Sequence, residues 1–163
     1  MTERTGRRLP DLGPRGEGWF LIQVLVLGAV AMAGLLGPAW SGLPRVLAAI
    51  AGTFLIGAGG LLAVRGVLDL GVNLTVLPKP REDAPLVDTG AYRLVRHPIY
   101  GGLILGGFGW GLVTASPFAI AGAAVLALFF DLKSRREEAW LVAQFDGYQA
   151  YRRRTPRLLP WLY

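Results

Sequence analysis

Charged residues divide this chain into long apolar runs and short polar connections. Three stretches contain no charged residue: residues 18–44, 46–64 and 98–130. A helix that crosses a bilayer needs about 20 consecutive, mainly apolar residues. Three such runs within 163 residues are not typical of a soluble domain. The pattern therefore predicts an all-α integral membrane protein.

Turn signals divide these runs into about four transmembrane helices. Residues 38–44 form a short Pro-containing turn, and Ser116-Pro117 forms another. Helices are predicted over residues 19–36, 45–67, 99–114 and 118–132. The last two are short for independent spans, so we expect a tight hairpin, with a single broken re-entrant pair as the alternative. The fourth helix is expected to continue into an amphipathic cytoplasmic helix that is weak at Gly147 and ends at Thr155-Pro156.

The distribution of basic residues predicts the orientation. Of the 17 Lys and Arg residues, all but Arg45 lie in the N-terminal tail, between residues 65 and 96, or after residue 132. The positive-inside rule then predicts four crossings, with both termini cytoplasmic and the central connection beside the C-terminal segment. Residues 1–17 are expected to be a flexible cytoplasmic tail and residues 18–163 a single membrane domain. A prokaryotic plasma membrane is the expected location. No secretory signal is expected, because the first apolar run is of span length and lacks a small-residue cleavage site.

Composition narrows the chemistry. The chain has no cysteine and one histidine, which argues against disulfides, a thiolate nucleophile and a structural zinc site, so no metal site is predicted. The net charge of +6 is explained by the cytoplasmic side of a membrane protein, in contact with membrane lipids, and no nucleic-acid partner is expected.

The single histidine, His97, lies where the polar connection meets the third apolar run. Pro98 disfavours α conformation at His97 and is itself well placed as the first residue of a helix. Arg96 and His97 should therefore lie at the mouth of a helix, where free backbone N–H groups can help to hold an anionic group. The cytoplasmic face also offers Tyr100, Glu137, Glu138, Tyr148, Tyr151 and Arg154.

These residue types suit a zwitterionic ligand, since arginine pairs with a carboxylate, glutamate with an amine, and an aromatic face tolerates a further cation. Each also has a structural interpretation. Arg96 could be a snorkelling anchor, His97 an N-cap, and the glutamates part of a solvated helix face. Because neighbouring helical residues point about 100° apart, at most one of Glu137 and Glu138 should face a pocket. The glycines of the third helix are typical of close helix packing.

Two motifs carry a family resemblance. Residues 86–101 read Leu-Val-Asp-Thr-Gly-Ala-Tyr-Arg-Leu-Val-Arg-His-Pro-Ile-Tyr-Gly. The second motif is Arg-Glu-Glu at residues 136–138, followed by Leu141, Phe145, Tyr148, Tyr151 and Arg154-Thr155-Pro156. Together they resemble the signatures of the isoprenylcysteine carboxyl methyltransferase family, which is related to membrane phospholipid N-methyltransferases. The resemblance covers about residues 70–160.

The resemblance implies a multi-helix membrane fold that binds S-adenosyl-L-methionine in a cytoplasmic pocket. By motif, the implied catalytic residues are Arg96, His97, Glu138 and Arg154. The implied cofactor-binding residues are Thr89, Gly90, Tyr92, Arg96, His97, Tyr100, Glu137, Glu138 and Tyr151. Of the two glutamates, Glu138 is favoured.

The implied acceptor is lipophilic and enters from the bilayer between the glycine-rich helices. Carboxyl O-methylation of an isoprenylcysteine-like or other lipid-like substrate is the leading hypothesis. Two departures, the short chain and the sequence Phe-Asp-Gly-Tyr at residues 145–148, leave the acceptor open. The alternatives are a phospholipid-type N-methyltransferase, a non-catalytic binding or transport bundle, and a headgroup-binding interaction protein that uses the arginines of residues 152–154. The oligomeric state is not predicted.

Overall fold

A computed structural model of the protein describes residues 9–80 and 84–160. Within these ranges the chain is helical, with no strand. Its elements are α1 (Glu17–Leu36), α2 (Leu43–Leu70), a 3-10 turn (Gly71–Asn73), α3 (Ala91–Leu94), α4 (Pro98–Val113), α5 (Pro117–Gln144) and α6 (Tyr148–Arg154). The predicted all-α fold is confirmed. Much of the predicted tail, residues 1–8, lies outside the described residues.

Among the described residues, three helices are long and apolar enough to cross a membrane: α1, α2 with its 3-10 extension, and α5. The fourth apolar helix, α4, has 16 residues. As predicted, the helix after Ser116-Pro117 continues past residue 132 without a break. It therefore reaches 28 residues, or about 42 Å at 1.5 Å per residue. The expectation that it is short, which motivated the re-entrant alternative, is wrong for α5.

Proline and serine set the starts of the last two apolar helices, α4 and α5. His97 is non-helical, with φ −129° and ψ 67°, and α4 begins at Pro98. Before α5, the Ser116 hydroxyl accepts a hydrogen bond from the Ala119 amide at 3.2 Å, and Pro117 is the first helical residue. The amphipathic C-terminal helix is divided in two, since α5 ends at Gln144 and α6 begins only after Gly147.

Glycine allows α2 and α4 to pack with their backbones in contact. The glycines Gly52, Gly59 and Gly66 recur every seven residues along α2 and are buried. A Cβ atom on Gly59 would lie 2.6 Å from the carbonyl oxygen of Gly102, and a Cβ atom on Gly52 would lie 2.6 Å from that of Gly109. The packing role predicted for the glycines of the third helix is confirmed for Gly102 and Gly109. Around Gly106, by contrast, a Cβ atom would meet no atom of the described residues within 4 Å.

The outer surfaces of α1 and α2 are apolar. Large exposed side chains on these helices include Leu21, Leu25, Leu35, Leu47, Ile50, Phe54 and Leu61. A surface of this kind is suited to lipid tails rather than to water. It supports the assignment of both helices to the bilayer.

The segment after α6 is tied to the residues that precede α4. The amide of Arg96 donates to the carbonyl of Pro156 at 2.9 Å, and the amide of His97 donates to that of Arg157 at 3.0 Å. The hydroxyl of Tyr151 donates to the carbonyl of Tyr92 at 2.6 Å. These bonds bring the two sequence motifs together at one end of the bundle.

Candidate active site

A cavity of about 250 Å³ lies where α1, α2, α4 and α5 meet the connection between α2 and α3. Apolar residues of that connection, such as Val76 and Leu86, form one wall. Polar and aromatic side chains of the two motifs form another: Tyr92, Arg96, His97, Tyr100, Glu137, Tyr148 and Tyr151. A mainly apolar cavity with a few convergent polar groups is typical of a small-molecule site.

Arg96 is buried and its guanidinium is held from several sides. Its Nε atom donates to Glu138 Oε1 at 2.8 Å, and its Nη1 atom donates to the carbonyls of Arg152, at 2.9 Å, and Thr155. A snorkelling anchor would place the charge in water, so that interpretation is wrong. Arg96 instead fastens the end of α6 to α5 and presents a fixed positive charge to the cavity.

Only one of the two neighbouring glutamates lines the cavity, as their spacing predicts, and it is Glu137. Its carboxylate accepts a hydrogen bond from the Tyr100 hydroxyl at 2.8 Å. Glu138 is 2% exposed and lies behind the cavity wall. Its oxygens are 3.4 Å from Arg152 Nε and 3.4 Å from Arg157 Nε, in addition to the bond from Arg96. The geometry therefore gives the ligand-facing position to Glu137, and a direct role for Glu138 stays a prediction.

The His97 ring lies between the two glutamates and Tyr100. Its Nε2 atom is 3.4 Å from Glu138 Oε1, and its Nδ1 atom is 3.9 Å from Glu137 Oε2. The ring is parallel to that of Tyr100, with 5.4 Å between the centroids and 2° between the planes. The His97 side chain makes no capping hydrogen bond to α4. The backbone carbonyl of His97 accepts a hydrogen bond from the Gly101 amide at 3.0 Å at the start of α4. The imidazole ring faces the two carboxylates instead.

Three buried tyrosines line the part of the cavity nearest α6. Burial raises the pKa of Tyr92, of Tyr148 and of Tyr151 above the ordinary tyrosine value, so all three stay protonated at physiological pH. The Tyr151 hydroxyl donates a hydrogen bond to the Tyr92 carbonyl. The Tyr148 hydroxyl is buried and has no hydrogen-bond partner among the described residues. Such a group costs free energy unless a ligand or water satisfies it.

Besides Glu138, three predicted site residues do not line this cavity. Thr89 and Gly90 form the turn before α3, where the amide of Ala91 donates to Asp69 Oδ2 at 2.7 Å. Gly90 has φ +58°, and a Cβ atom there would lie 2.2 Å from Asp69 Oδ2. Arg154 is 60% exposed and pairs with Asp88 at a shallow groove formed by residues 152–157. The proposed contacts of these three residues with a ligand stay predictions.

Sequence reasoning missed Lys133 and Gln23. Lys133 is 1% exposed, lines the cavity, and donates from Nζ to Gln23 Oε1 on α1. Lys133, Glu137, Leu141 and Phe145 all line the cavity and recur every four residues. That helical spacing is the signal that could have identified Lys133.

Within residues 9–80 and 84–160, no group of three or more His, Asp or Glu side chains is placed to hold a metal ion.

Comparison with known proteins supplies independent information. The model of the phospholipid methyltransferase family matches residues 47–147, more than half of the chain. The cobalt-zinc-cadmium resistance protein CzcN of Cupriavidus metallidurans is 41% identical over 86 residues, which are 50% of this chain and 38% of that protein. Protein-S-isoprenylcysteine O-methyltransferase B of Arabidopsis thaliana is 34% identical over 116 residues, 68% of this chain and 58% of that protein.

A third relative is methanethiol S-methyltransferase 1 of Bradyrhizobium diazoefficiens, which is 32% identical over 110 residues, 67% of this chain and 36% of that protein. The chain thus spans 36% to 58% of the length of these three relatives.

Proposed function

The chain belongs to the phospholipid methyltransferase family, and we propose that it is an integral membrane methyltransferase that uses S-adenosyl-L-methionine and methylates a lipophilic acceptor. One observation carries the proposal. Side chains from two motifs about forty residues apart, including His97, Tyr100, Glu137 and Tyr148, line the same cavity. The resemblance to isoprenylcysteine carboxyl methyltransferases agrees with the relative from Arabidopsis thaliana named above.

The residues present fit this zwitterionic, sulfonium-bearing cofactor. Glu137 offers a carboxylate for an ammonium group, and Arg96 offers a fixed positive charge for a carboxylate. The rings of Tyr92, Tyr100 and Phe145 offer aromatic surface to a sulfonium. The unsatisfied Tyr148 hydroxyl offers a further donor.

When bound, the cofactor supplies a methyl group whose bond to sulfur breaks, with the electron pair kept by sulfur, as the acceptor atom bonds to the methyl carbon. The protein has little covalent work to do in such a displacement. Its contribution is to position the acceptor and to exclude water, which the apolar walls around Val76, Leu86 and Leu141 support.

We propose carboxyl O-methylation of an isoprenylcysteine-like or other lipid-like molecule as the leading reaction. A carboxylate is already ionised at physiological pH, so no general base is needed. The relative from Arabidopsis thaliana is named for a reaction of this type. A second relative, from Bradyrhizobium diazoefficiens, is named for methyl transfer to the sulfur of a small thiol, so the size of the acceptor is part of the question.

Phospholipid-type N-methylation is the second candidate. An amine must lose a proton during the reaction, and the His97 and Glu137 side chains, 3.9 Å apart at the cavity, are suited to accept it. The family whose model matches the chain is named for phospholipid substrates.

The proposed topology places both termini and the cavity on the cytoplasmic side. The arginine-rich groove of residues 152–157 lies beside Arg96 at the same end of the bundle. Concentration of positive charge at one end is typical of the cytoplasmic face.

The first test is calorimetric titration of S-adenosylmethionine and S-adenosylhomocysteine into the purified protein in nanodiscs. Binding with a micromolar Kd, lost in Glu137→Gln and in Arg96→Ala, is expected. Arg135→Gln is the matched control on the same helix, since its Nε bond goes to Asp131 and it lies outside the cavity. Absence of binding to folded, monodisperse protein would contradict the proposal and leave a non-catalytic binding or transport bundle.

The second test separates the two reactions. Protein with labelled cofactor is offered N-acetyl-S-farnesylcysteine or phosphatidylethanolamine, and the labelled product is treated with base. A methyl ester releases labelled methanol, whereas an N-methyl group does not. Base-labile product from the farnesylated acid is the expected result.

A further inference from the structure

Lys133 lies in the wall of the cavity, and the function proposed above gives it no role. It is 1% exposed and is surrounded by α1, α4 and α5. Its Nζ atom donates to Gln23 Oε1 and lies 4.9 Å from the centroid of the Tyr100 ring. Both contacts orient the ammonium group, and neither neutralises it.

An ammonium group in this position is costly. Within residues 9–80 and 84–160, no carboxylate oxygen lies within 4.0 Å of Lys133 Nζ, and the acid whose charge acts on it from farther away is Glu137, one turn along α5. Arg96, which is also buried, is by contrast bonded to a carboxylate and two carbonyls. Buried charges in proteins are ordinarily paired. A partner that arrives with the ligand would explain why this charge is retained.

The position of Lys133 along α5 indicates which ligand that is. Lys133, Glu137, Leu141 and Phe145 line the cavity at four-residue intervals, about 6 Å apart along the helix. The motif residues gather around Glu137 and beyond it toward α6. Lys133 is one turn nearer the apolar part of α5 that contains Phe129 and Phe130. It therefore lies at the membrane end of the cavity, where a lipophilic acceptor arrives.

We propose that Lys133, oriented by Gln23, binds the carboxylate of the acceptor and makes the protein select anionic over cationic acceptors. The inference rests on the proposed function and names the residue that determines which acceptors the protein binds. A carboxylate would pair with the ammonium group in a poorly solvated place, where such a contact is strong. An amine would meet a like charge there, which excludes it. A thiol is mostly uncharged at physiological pH and would gain less.

The test measures binding of charged and uncharged acceptor analogues to protein in nanodiscs saturated with S-adenosylhomocysteine. The labelled probes are N-acetyl-S-farnesylcysteine, its carboxamide, dodecanoate, dodecanamide and dodecylamine, each with binding to empty nanodiscs subtracted. Wild-type protein is expected to bind at least one acid about 10-fold or more tightly than its amide, the usual effect of a charged hydrogen bond. Dodecylamine is expected to bind more weakly than either dodecanoate or dodecanamide.

Lys133→Met should reduce that preference to about twofold or less, while Lys133→Arg keeps most of it. The Kd for S-adenosylhomocysteine should stay within about threefold in both variants, because the cofactor does not depend on this charge. Thermal stability of Lys133→Met should be equal to or higher than that of wild type, since an apolar side chain of similar length replaces a buried charge. Gln23→Leu provides a second variant that leaves the lysine in place, and it should lower the preference in part.

Several results would overturn the inference. They are a preference for acids that persists in Lys133→Met, equal binding of acids, amides and amines by wild type, or no binding of either acid to protein that binds S-adenosylhomocysteine. A wild-type protein that does not bind S-adenosylhomocysteine contradicts the proposed function itself, and this inference with it.

Discussion

Arg96 and Glu138 form a buried ion pair, with Arg96 Nε donating to Glu138 Oε1 at 2.8 Å across 42 residues of sequence. The two side chains are 6% and 3% exposed. The pair joins the residues just before α4 to the C-terminal half of α5. The same arginine donates to the carbonyls of Arg152 and Thr155. This end of the bundle is thus organised around one guanidinium.

Neutralising Glu138 should damage the fold as well as the site. Removing one partner of a buried pair costs about 3–5 kcal/mol, so Glu138→Gln should lower thermal stability strongly and abolish binding of S-adenosylhomocysteine. In Glu137→Gln the amide can still accept from Tyr100, and the side chain is 23% exposed. We expect it to lose binding with little loss of stability. A larger loss of thermal stability in Glu137→Gln than in Glu138→Gln would contradict the buried, paired position of Glu138.

Two tyrosines should respond in opposite ways to loss of the hydroxyl group. Tyr148→Phe removes a buried hydroxyl that has no partner among the described residues. It should leave thermal stability unchanged or raised while weakening binding of S-adenosylhomocysteine about tenfold. Tyr151→Phe removes the bond to the Tyr92 carbonyl and should lower stability by about 1 kcal/mol. The two readouts are thermal unfolding and calorimetry, and an equal effect of both variants on stability would be evidence against a ligand role for Tyr148.

Adjacent glycines of α2 offer a sharp test of its packing on α4. Gly59→Ala places a Cβ atom 2.6 Å from the Gly102 carbonyl oxygen and should separate the helices, with a loss of about 1–3 kcal/mol. At Gly60 a Cβ atom meets nothing within 4 Å in the part of the chain that the structure describes, so Gly60→Ala should be neutral or stabilising. Thermal unfolding in detergent gives the comparison. Similar melting temperatures for the two variants would mean that the helices are not in backbone contact.

The close approach of α4 to the C-terminal segment can be tested at Gly101. A Cβ atom there would lie 2.1 Å from the Leu158 carbonyl oxygen. Gly101→Ala should displace that segment from Arg96 and His97, and so weaken binding of S-adenosylhomocysteine by about tenfold or more. Gly106→Ala, on the same helix with free space around it, should bind normally. Normal binding by Gly101→Ala would show that the segment is dispensable for the site.

A side chain at Gly106 tests entry of the acceptor from the bilayer. Gly106 lines an apolar groove of about 420 Å³ between α1, α2 and α4, together with Leu27, Ile56 and Leu103. Gly106→Leu should fill this groove and slow methylation of lipid-like acceptors, while binding of S-adenosylhomocysteine is unchanged. Rates are compared for farnesylated and short-chain acids. Entry through the groove would be contradicted if methylation of the farnesylated and short-chain acids slowed equally, or if neither rate changed.

The sequence predicted the elements well where local signals were strong. The uncharged runs and the prolines at residues 98 and 117 placed the starts of α4 and α5 within one residue. Helix α3 and the pairing of residues 96–97 with residues 156–157 were not predicted, because both depend on contacts between distant parts of the chain. The angle of about 100° between neighbouring helical residues predicted that only one glutamate faces the pocket, but it does not indicate whether this is Glu137 or Glu138. Lys133 was overlooked because it precedes Arg135 and Arg136, and a run of charges on a helix is usually solvated.

The hydrogen bonds from Arg96 and His97 to Pro156 and Arg157 also have a consequence for biosynthesis. The ribosome makes residues 156 and 157 after all the long helices, so these two bonds cannot form while the helices are being synthesised. Until they form, the amides of Arg96 and His97 lack the partners that they have in the folded protein. The two motifs can therefore be joined in this way only after α5 and α6 have been made.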